Sequence, residues 1–225
     1  MEKYVEKVRR LYNSLAPKYD NVYLDEVNKG EDRVLFSIVR GFMKSPILDI
    51  GCGTGLLPDN LNPVEYVGVD ISPKMIEIAK KKHPKRYFFQ ADMHKLPFED
   101  NQFETITSLY SCLNFTLSPS VVFAEIYRCL KPGGWFVGTA VGWRVQHNVL
   151  IGSHDQDWKL PVTYYNKKML QELMKHFELV DIRGLNYLAN VLKRDGHYLM
   201  KEFTLFGRVA PDLARHILFI GRKPQ

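Results

Sequence analysis

The sequence has no apolar run that approaches the roughly 18 to 20 residues needed to cross a bilayer as a helix. Its opening stretch, MEKYVEKVRRLYNSL, alternates charged with apolar positions where a secretory signal would need an unbroken apolar core. Cysteine is scarce: Cys52, Cys112 and Cys129 form an odd, scattered set without C-x-x-C spacing, which argues against a disulfide framework and a zinc site. From these absences we expect a cytoplasmic protein with no membrane span. Internal repeats, low-complexity tracts and Pro-, Gly- or Ser-rich linkers are also missing. A chain of 225 residues, 45% apolar and 25% charged, is long enough for one well-buried domain. We read residues 1–225 as that single domain, with N-terminal helices over 1–45, a core over 46–141, and a cover that completes the fold over 142–225.

Acidic residues are few toward the C-terminus. From Arg183 onward there are eight basic residues against three acids, which supplies +5 of the net charge of +6. Such a face suits an anionic small molecule or a nucleic acid, and equally a solvated surface. A dense Arg/Lys stripe with interleaved aromatics, as an RNA-binding module would carry, is not present.

Periodicity supplies the architecture. Val5, Val8, Leu11, Tyr12 and Leu15 recur at helical spacing up to Pro17, and a second helix is expected from about Asn28 to Met43 with Val34, Leu35, Ile38, Val39 and Phe42 on its apolar side. After Pro46 short apolar strands take over: PILDIG, YVGVDIS, RYFFQAD, FETITSLY and WFVGTAV, then ELVDIR and HILFIGRK. Between them lie the helices SPKMIEIAKKKH, capped by Ser72 with Pro73 in first position, SPSVVFAEIYRCL, capped by Ser118 or Ser120 and stopped by Pro132-Gly133-Gly134, and NKKMLQELMKHF. Strands that are apolar almost throughout and alternate with helices belong in a doubly wound α/β fold, a mostly parallel seven-stranded sheet covered on both faces. Ligands of such sheets sit beyond the carboxyl ends of the strands.

The turn in ILDIGCGTGLLPDNL carries Gly51, Gly53 and Gly55, a G-x-G-x-G whose third glycine comes one residue earlier than in the dinucleotide fingerprint. Asp70 ends the next strand 19 residues after Gly51, close to the spacing at which an acid reaches ribose hydroxyls. Asp49, two residues before Gly51, would repel a pyrophosphate and attract a ligand bearing an ammonium and a sulfonium. The glycines then serve close backbone approach and positive φ rather than phosphate binding. Cys52 inside the turn reads as a small side chain chosen for space.

The ordered string ILDIGCGTG, VGVDIS, FFQADMHKLPFEDNQFETITSLYSCLNF and EIYRCLKPGGWF resembles the class I, Rossmann-like S-adenosylmethionine-dependent methyltransferases. It is most like the small-molecule group that includes the ubiquinone/menaquinone and glycine-type enzymes, with the resemblance spanning Tyr12 to Val141. It implies S-adenosylmethionine as cofactor and S-adenosylhomocysteine as product. By position it assigns Gly51, Cys52 and Gly53 to the methionine part, Asp49 to the ammonium through water, Asp70 to the ribose diol, and Ile71 and Met75 to the flanks of the adenine. Asp92 would meet the adenine amino group, with Ala91 and Met93 beside the ring. Leu109, Tyr110, Ser111 and Asn114 fall where the family contacts cofactor and incoming substrate, and YNSLAPKYD resembles a closing segment with Tyr12 and Tyr19 as lid residues.

The acceptor side is less readable. GWRVQHNVLIGSHDQDWKLPVTYY is the expected substrate cover, with Trp143 and Trp158 as walls and His154, His147 and Tyr165 as candidates for a general base; His154 and Asp157 are three residues apart, as a base and its orienting acid could be. HDQD has no matching cluster elsewhere, so no metal is expected. The segment GLNYLANVLKRDGHYLMKEFTLFGRVAPDL before the last strand reads as a second substrate wall or a dimer face, which leaves monomer and homodimer both open. The expected activity is methyl transfer to N, O or C of a small molecule, with a transfer-RNA methyltransferase as the alternative.

Overall fold

A computed structural model describes residues 1–22, 26–142, 160–185, 211–214 and 216–225. The chain opens with α1 (Glu2–Leu15), a 3-10 turn at Ala16–Lys18, α2 (Tyr19–Val22) and α3 (Glu26–Val39). It then alternates through β1 (Ile47–Ile50), α4 (Leu56–Leu61), β2 (Tyr66–Asp70), α5 (Pro73–Lys82), β3 (Tyr87–Gln90), β4 (Phe103–Ser108), α6 (Pro119–Cys129), β5 (Leu130–Val141), α7 (Lys167–Leu173), β6 (Glu178–Leu185) and β7 (His216–Arg222). The seven strands form one sheet in the order β3-β2-β1-β4-β5-β7-β6. Strands β1 to β5 pair in parallel, and β7 runs antiparallel between β5 and β6. The strand order reverses between β1 and β4, which fixes the crevice at their carboxyl ends as the ligand position.

Both faces of the sheet are covered, which is why β1 is buried at all four of its positions. Leu48, Ile50, Ile106, Phe136 and Phe219 pack with Val122, Phe123 and Ile126 of α6 and Leu170 of α7. On the other face Ile47, Tyr66, Val137 and Leu218 meet Leu35, Phe36 and Val39 of α3 and Ile76 and Ala79 of α5. A third cluster, Tyr4, Val8 and Leu11 of α1 with Phe115, lies apart from these two. Local chemistry agrees with these elements: Ser72 Oγ accepts from Met75 N at 3.2 Å, Pro73 opens α5, and Lys80, Lys81 and Lys82 occupy its last turn beside the partial negative charge of the helix end.

Three sequence expectations are revised. The buried side of α3 includes Phe36 and omits Val34, because tertiary packing rather than local spacing chose the contact face. Ser118 takes the N-cap position of α6 but makes no capping bond with its side chain. The helix also ends at Cys129, ahead of Pro132-Gly133-Gly134; those residues form an irregularity inside β5, where the β4 partner steps from Leu130 to Trp135, and Gly133 N donates to Lys223 O.

Candidate active site

The turn after β1 is held by β2: Gly51 N and Cys52 N both donate to Val69 O, at 2.7 and 3.0 Å. Gly51 has φ +73°, and a Cβ there would lie 2.3 Å from Cys112 Sγ, so only glycine admits the turn Cys112–Asn114 beside it. Gly53, at φ +54°, is different: a Cβ would meet only Tyr19 Cε1, at 3.9 Å, so its bare backbone opens onto space. Cys52 is buried, and its Sγ fills the gap over Gly68, where an added Cβ would come within 2.9 Å of it. Burial and the nearby Asp70 push its thiol well above the ordinary range, which removes it as a nucleophile.

Two carboxylates flank the turn. Asp70 Oδ2 accepts from Gly53 N at 3.0 Å and Oδ1 from Ser72 N at 2.8 Å, with the Ile71 backbone also acting on the carboxylate, which still leaves acceptor capacity for a ligand hydroxyl. Burial raises its pKa to about 6 against the pull of those backbone donors. Asp49, 4% exposed, accepts from Thr107 Oγ1 at 2.7 Å and Tyr66 OH at 2.9 Å, and burial pushes it up to about 7. A folded-state pKa above the unfolded value of 3.8 means a stabilising contribution that is complete below pH 4 and lost as pH rises through about 6 to 7. Asp49→Asn removes the charge and keeps an acceptor oxygen for one of the two hydroxyls, while the other, able to rotate, accepts from the new amide nitrogen. It is therefore expected to stabilise the ligand-free protein by about 2 kcal/mol more at pH 8 than at pH 5. Urea unfolding at the two pH values measures this, and an equal effect at both would show that the charge at Asp49 is not penalised.

These groups open onto a cavity of about 510 Å³ at the carboxyl ends of β1, β2 and β4. Ile71, Met75, Ala91, Asp92 and Met93 line one side. Tyr12 and Tyr19 line the N-terminal cover, their ring centroids 6.3 Å apart, with Tyr12 edge-on to Phe115. That cover is tied down: Asn13 Oδ1 accepts from Ser72 Oγ at 2.7 Å, Asp20 accepts from Thr54 Oγ1 in the glycine turn, and Lys82 bridges Asp20 and Asp59. Asp92 is half-buried and bonded to His94; burial would raise it, but the His94 contacts outweigh this and hold it below its ordinary value.

The far side is built by α3, which turns Lys29, Asp32 and Phe36 toward the cavity at helical spacing, facing Tyr110, Tyr164 and His216. Tyr110 has φ +53°; its N donates to Thr139 Oγ1 at 2.7 Å and its hydroxyl donates to Asp32 Oδ1. Burial raises the Asp32 pKa while that hydroxyl bond opposes it. Leu109 and Asn114 also line the space. The amide of Asn114, however, is spent on the backbone: it accepts from Val141 N at 2.9 Å and donates to Val141 O and Thr163 O.

Tyr165 does not belong to the site. It is fully buried in the core beneath α7, its hydroxyl donates to Leu113 O at 2.7 Å, and burial drives its pKa far upward; the adjacent Tyr164 is the one that faces the cavity. His147, His154, the HDQD run and most of the basic C-terminal stretch lie outside the described residues. Among the described residues no group of His, Cys, Asp and Glu is arranged to hold a metal ion, and no helix is long and apolar enough to cross a membrane.

Sequence reasoning did not single out Tyr66 and Thr107 as partners of Asp49, nor His94, Asp32, Lys29, Phe36 and His216. Thr107 sits directly opposite Asp49 in the β1–β4 register, and Tyr66 lies opposite Ile47 in β2, so strand pairing would have found both. Asp32 and Tyr110 are 78 positions apart, which no local pattern connects.

Residues 48–138 match the family described as methyltransferase domain. A demethylmenaquinone methyltransferase of Renibacterium salmoninarum is 29% identical over 143 residues, covering 61% of this chain and 60% of that protein. The chain thus spans somewhat over half the length of the curated relatives it first matches. An uncharacterized protein of Methanocaldococcus jannaschii is 27% identical over 244 residues, covering 96% of this chain and 90% of that protein. In structure, a Thermotoga maritima protein described as an S-adenosylmethionine-dependent methyltransferase, possible histamine N-methyltransferase, superposes with TM-score 0.69 at 17% identity, over 96% of this chain and 99% of that one, which shows a shared fold.

Proposed function

We propose, from the match of residues 48–138 to the methyltransferase domain family, an S-adenosylmethionine-dependent enzyme of the class I type that methylates a small hydroxylated aromatic acceptor. One continuous sheet with strands from Ile47 to Arg222 supports treating the chain as a single functional unit. The donor set fits the cofactor. Gly53 offers open backbone, Asp70 retains acceptor capacity for a diol, and Asp49, whose charged form burial disfavours in the empty protein, would be drawn to its ionised form by a cationic amino-acid end at the turn. When bound, S-adenosylmethionine supplies an already activated methyl group.

The observation that carries the reading is one cavity lined both by the bare turn with its carboxylates and by the hydrogen-bonded pair of Asp32 and Tyr110. The tethered N-terminal cover lies over the cavity, and the aromatic rings of Tyr19, Phe36, Tyr110 and Tyr164 give a flat acceptor its walls. A phenol-type O–H is a weak nucleophile until it loses its proton. Tyr110 takes that proton on its phenolic oxygen as its own passes to the Asp32 carboxylate, leaving the acceptor anionic and ready to attack through oxygen or ring carbon. The names of the quinone relatives favour a naphthoquinol as the first acceptor to try. Six aspartates (Asp20, Asp32, Asp49, Asp59, Asp70, Asp92) against two lysines among the described lining make a polyanionic phosphate backbone a poor match, so the transfer-RNA alternative gains no support here. The free cysteines Cys52, Cys112 and Cys129 are in keeping with a cytoplasmic setting.

The test is incubation with methyl-labelled S-adenosylmethionine and a side-chain-shortened demethylnaphthoquinol, then with a metabolite extract. Labelled product matched mole for mole by S-adenosylhomocysteine is expected; absence of both products with every acceptor would sink the proposal. For the cofactor end, Asp70→Ala is expected to weaken S-adenosylhomocysteine binding by about 1.5 to 3 kcal/mol, and calorimetry showing unchanged affinity would contradict the ribose role.

A further inference from the structure

His94 stands between two side chains that it could join. Its Nδ1 lies 2.6 Å from Asp92 Oδ1, its backbone N donates to the same oxygen at 2.9 Å, and its Nε2 lies 2.7 Å from Thr116 Oγ1. The imidazole is well enclosed, its side chain 10% exposed against 36% for Asp92, and Thr116 is fully buried. Thr116 Oγ1 in turn accepts from Ser118 N at 2.9 Å. Only one arrangement of hydrogens satisfies this chain with a neutral ring: Ser118 N–H donates to Thr116 Oγ1, Thr116 O–H donates to His94 Nε2, and His94 Nδ1–H donates to Asp92 Oδ1. The tautomer of His94 is thereby set by the buried hydroxyl bonded to it, two steps from Asp92.

The consequence falls on Asp92. Both hydrogen bonds to its side chain are on Oδ1, which restrains the carboxylate and leaves Oδ2 as the acceptor for a ligand in the cavity that Asp92 lines together with Ile71, Ala91 and Met93. An oxygen that only accepts welcomes an exocyclic amino group and opposes a carbonyl at the same place, because two acceptors then face each other without a proton.

We propose that His94, braced by Thr116, is a positioning residue that orients Asp92 and gives the cofactor site its preference for an amino-bearing purine over an oxo-bearing one. This rests on the reading of the cavity as the S-adenosylmethionine site and adds the residue that sets its base selectivity. His94 reaches the nucleoside only through Asp92.

Calorimetry with S-adenosylhomocysteine and S-inosylhomocysteine, which differ only in the amino and oxo groups of the base, tests it without any methyl acceptor. In the wild type the adenine ligand binds more tightly. His94→Ala leaves the carboxylate with only the backbone N–H bond on Oδ1 and loosens its orientation, so affinity for S-adenosylhomocysteine drops roughly tenfold while that for S-inosylhomocysteine stays the same or rises, and the preference collapses. His94→Asn, whose amide nitrogen stands near the place of Nδ1, restores most of the preference. Thr116→Val keeps shape and removes the hydroxyl, and lowers the preference about threefold; it also covers the case in which His94→Ala does not fold. Equal losses for both ligands in these variants, or no loss, overturn the brace. Wild-type protein that binds neither ligand overturns the cofactor reading and the brace together, whereas normal binding with an unaltered preference in the variants overturns the brace alone.

Discussion

Asp32→Asn is expected to lower the turnover number by about 10²- to 10⁴-fold while cofactor affinity stays within about twofold. The asparagine amide still accepts the Tyr110 hydroxyl, so the fold of α3 over the cavity is kept and only the capacity to take a proton is lost. Tyr110→Phe should fall into the same range, because it removes the link between acceptor and carboxylate. The loss in both variants should shrink as pH rises toward the acceptor's own ionisation, since a phenolate that forms in solution no longer needs the pair. Steady-state rates across pH 6 to 10, alongside calorimetry of S-adenosylhomocysteine, give the measurement. A variant with unchanged turnover and a raised KM would show that Asp32 only holds the acceptor.

Gly51→Ala is expected to destabilise the protein by about 3 kcal/mol and to lower its melting temperature by about 6 to 12 °C. Two costs combine. The φ of +73° disfavours any Cβ, and the new atom would sit 2.3 Å from Cys112 Sγ and 2.5 Å from Cys112 Cβ. Cys112→Ala removes the sulfur and leaves the second contact, so the double variant should recover little. The displaced turn also carries Gly53 N away from Asp70, so cofactor binding should fall with stability. Differential scanning calorimetry with and without S-adenosylhomocysteine reads both effects; a melting temperature within a degree of wild type would mean that the turn and Cys112 adjust freely.

The strands could be read from sequence because burial on both faces leaves short, nearly unbroken apolar runs such as Ile47 to Ile50. The glycine turn and Asp70 were equally legible, since they depend on residues close together along the chain whose conformational demands are local. What escaped depends on distant partners. Lys131-Pro132-Gly133-Gly134 has the composition of a break, yet hydrogen bonds with Lys223 hold it within β5. Tyr164 and Tyr165 are indistinguishable in sequence; only the bridge of the second to Gly142 decides which ring goes to the core. The inward face of α3 and the Asp92–His94–Thr116 chain are likewise set by packing between segments, so the lining supplied by the strand ends could be read along the chain and that supplied by α3 could not.

Leu185 and His216 are directly paired at the end of the antiparallel β6–β7 ladder. The segment from 186 to 215 therefore leaves and rejoins the sheet at adjacent points, and the register of seven strands does not depend on how long that segment is. Sequence between these two paired ends can therefore change in length while the glycine turn, Asp49 and Asp70 keep their places at the other strand ends.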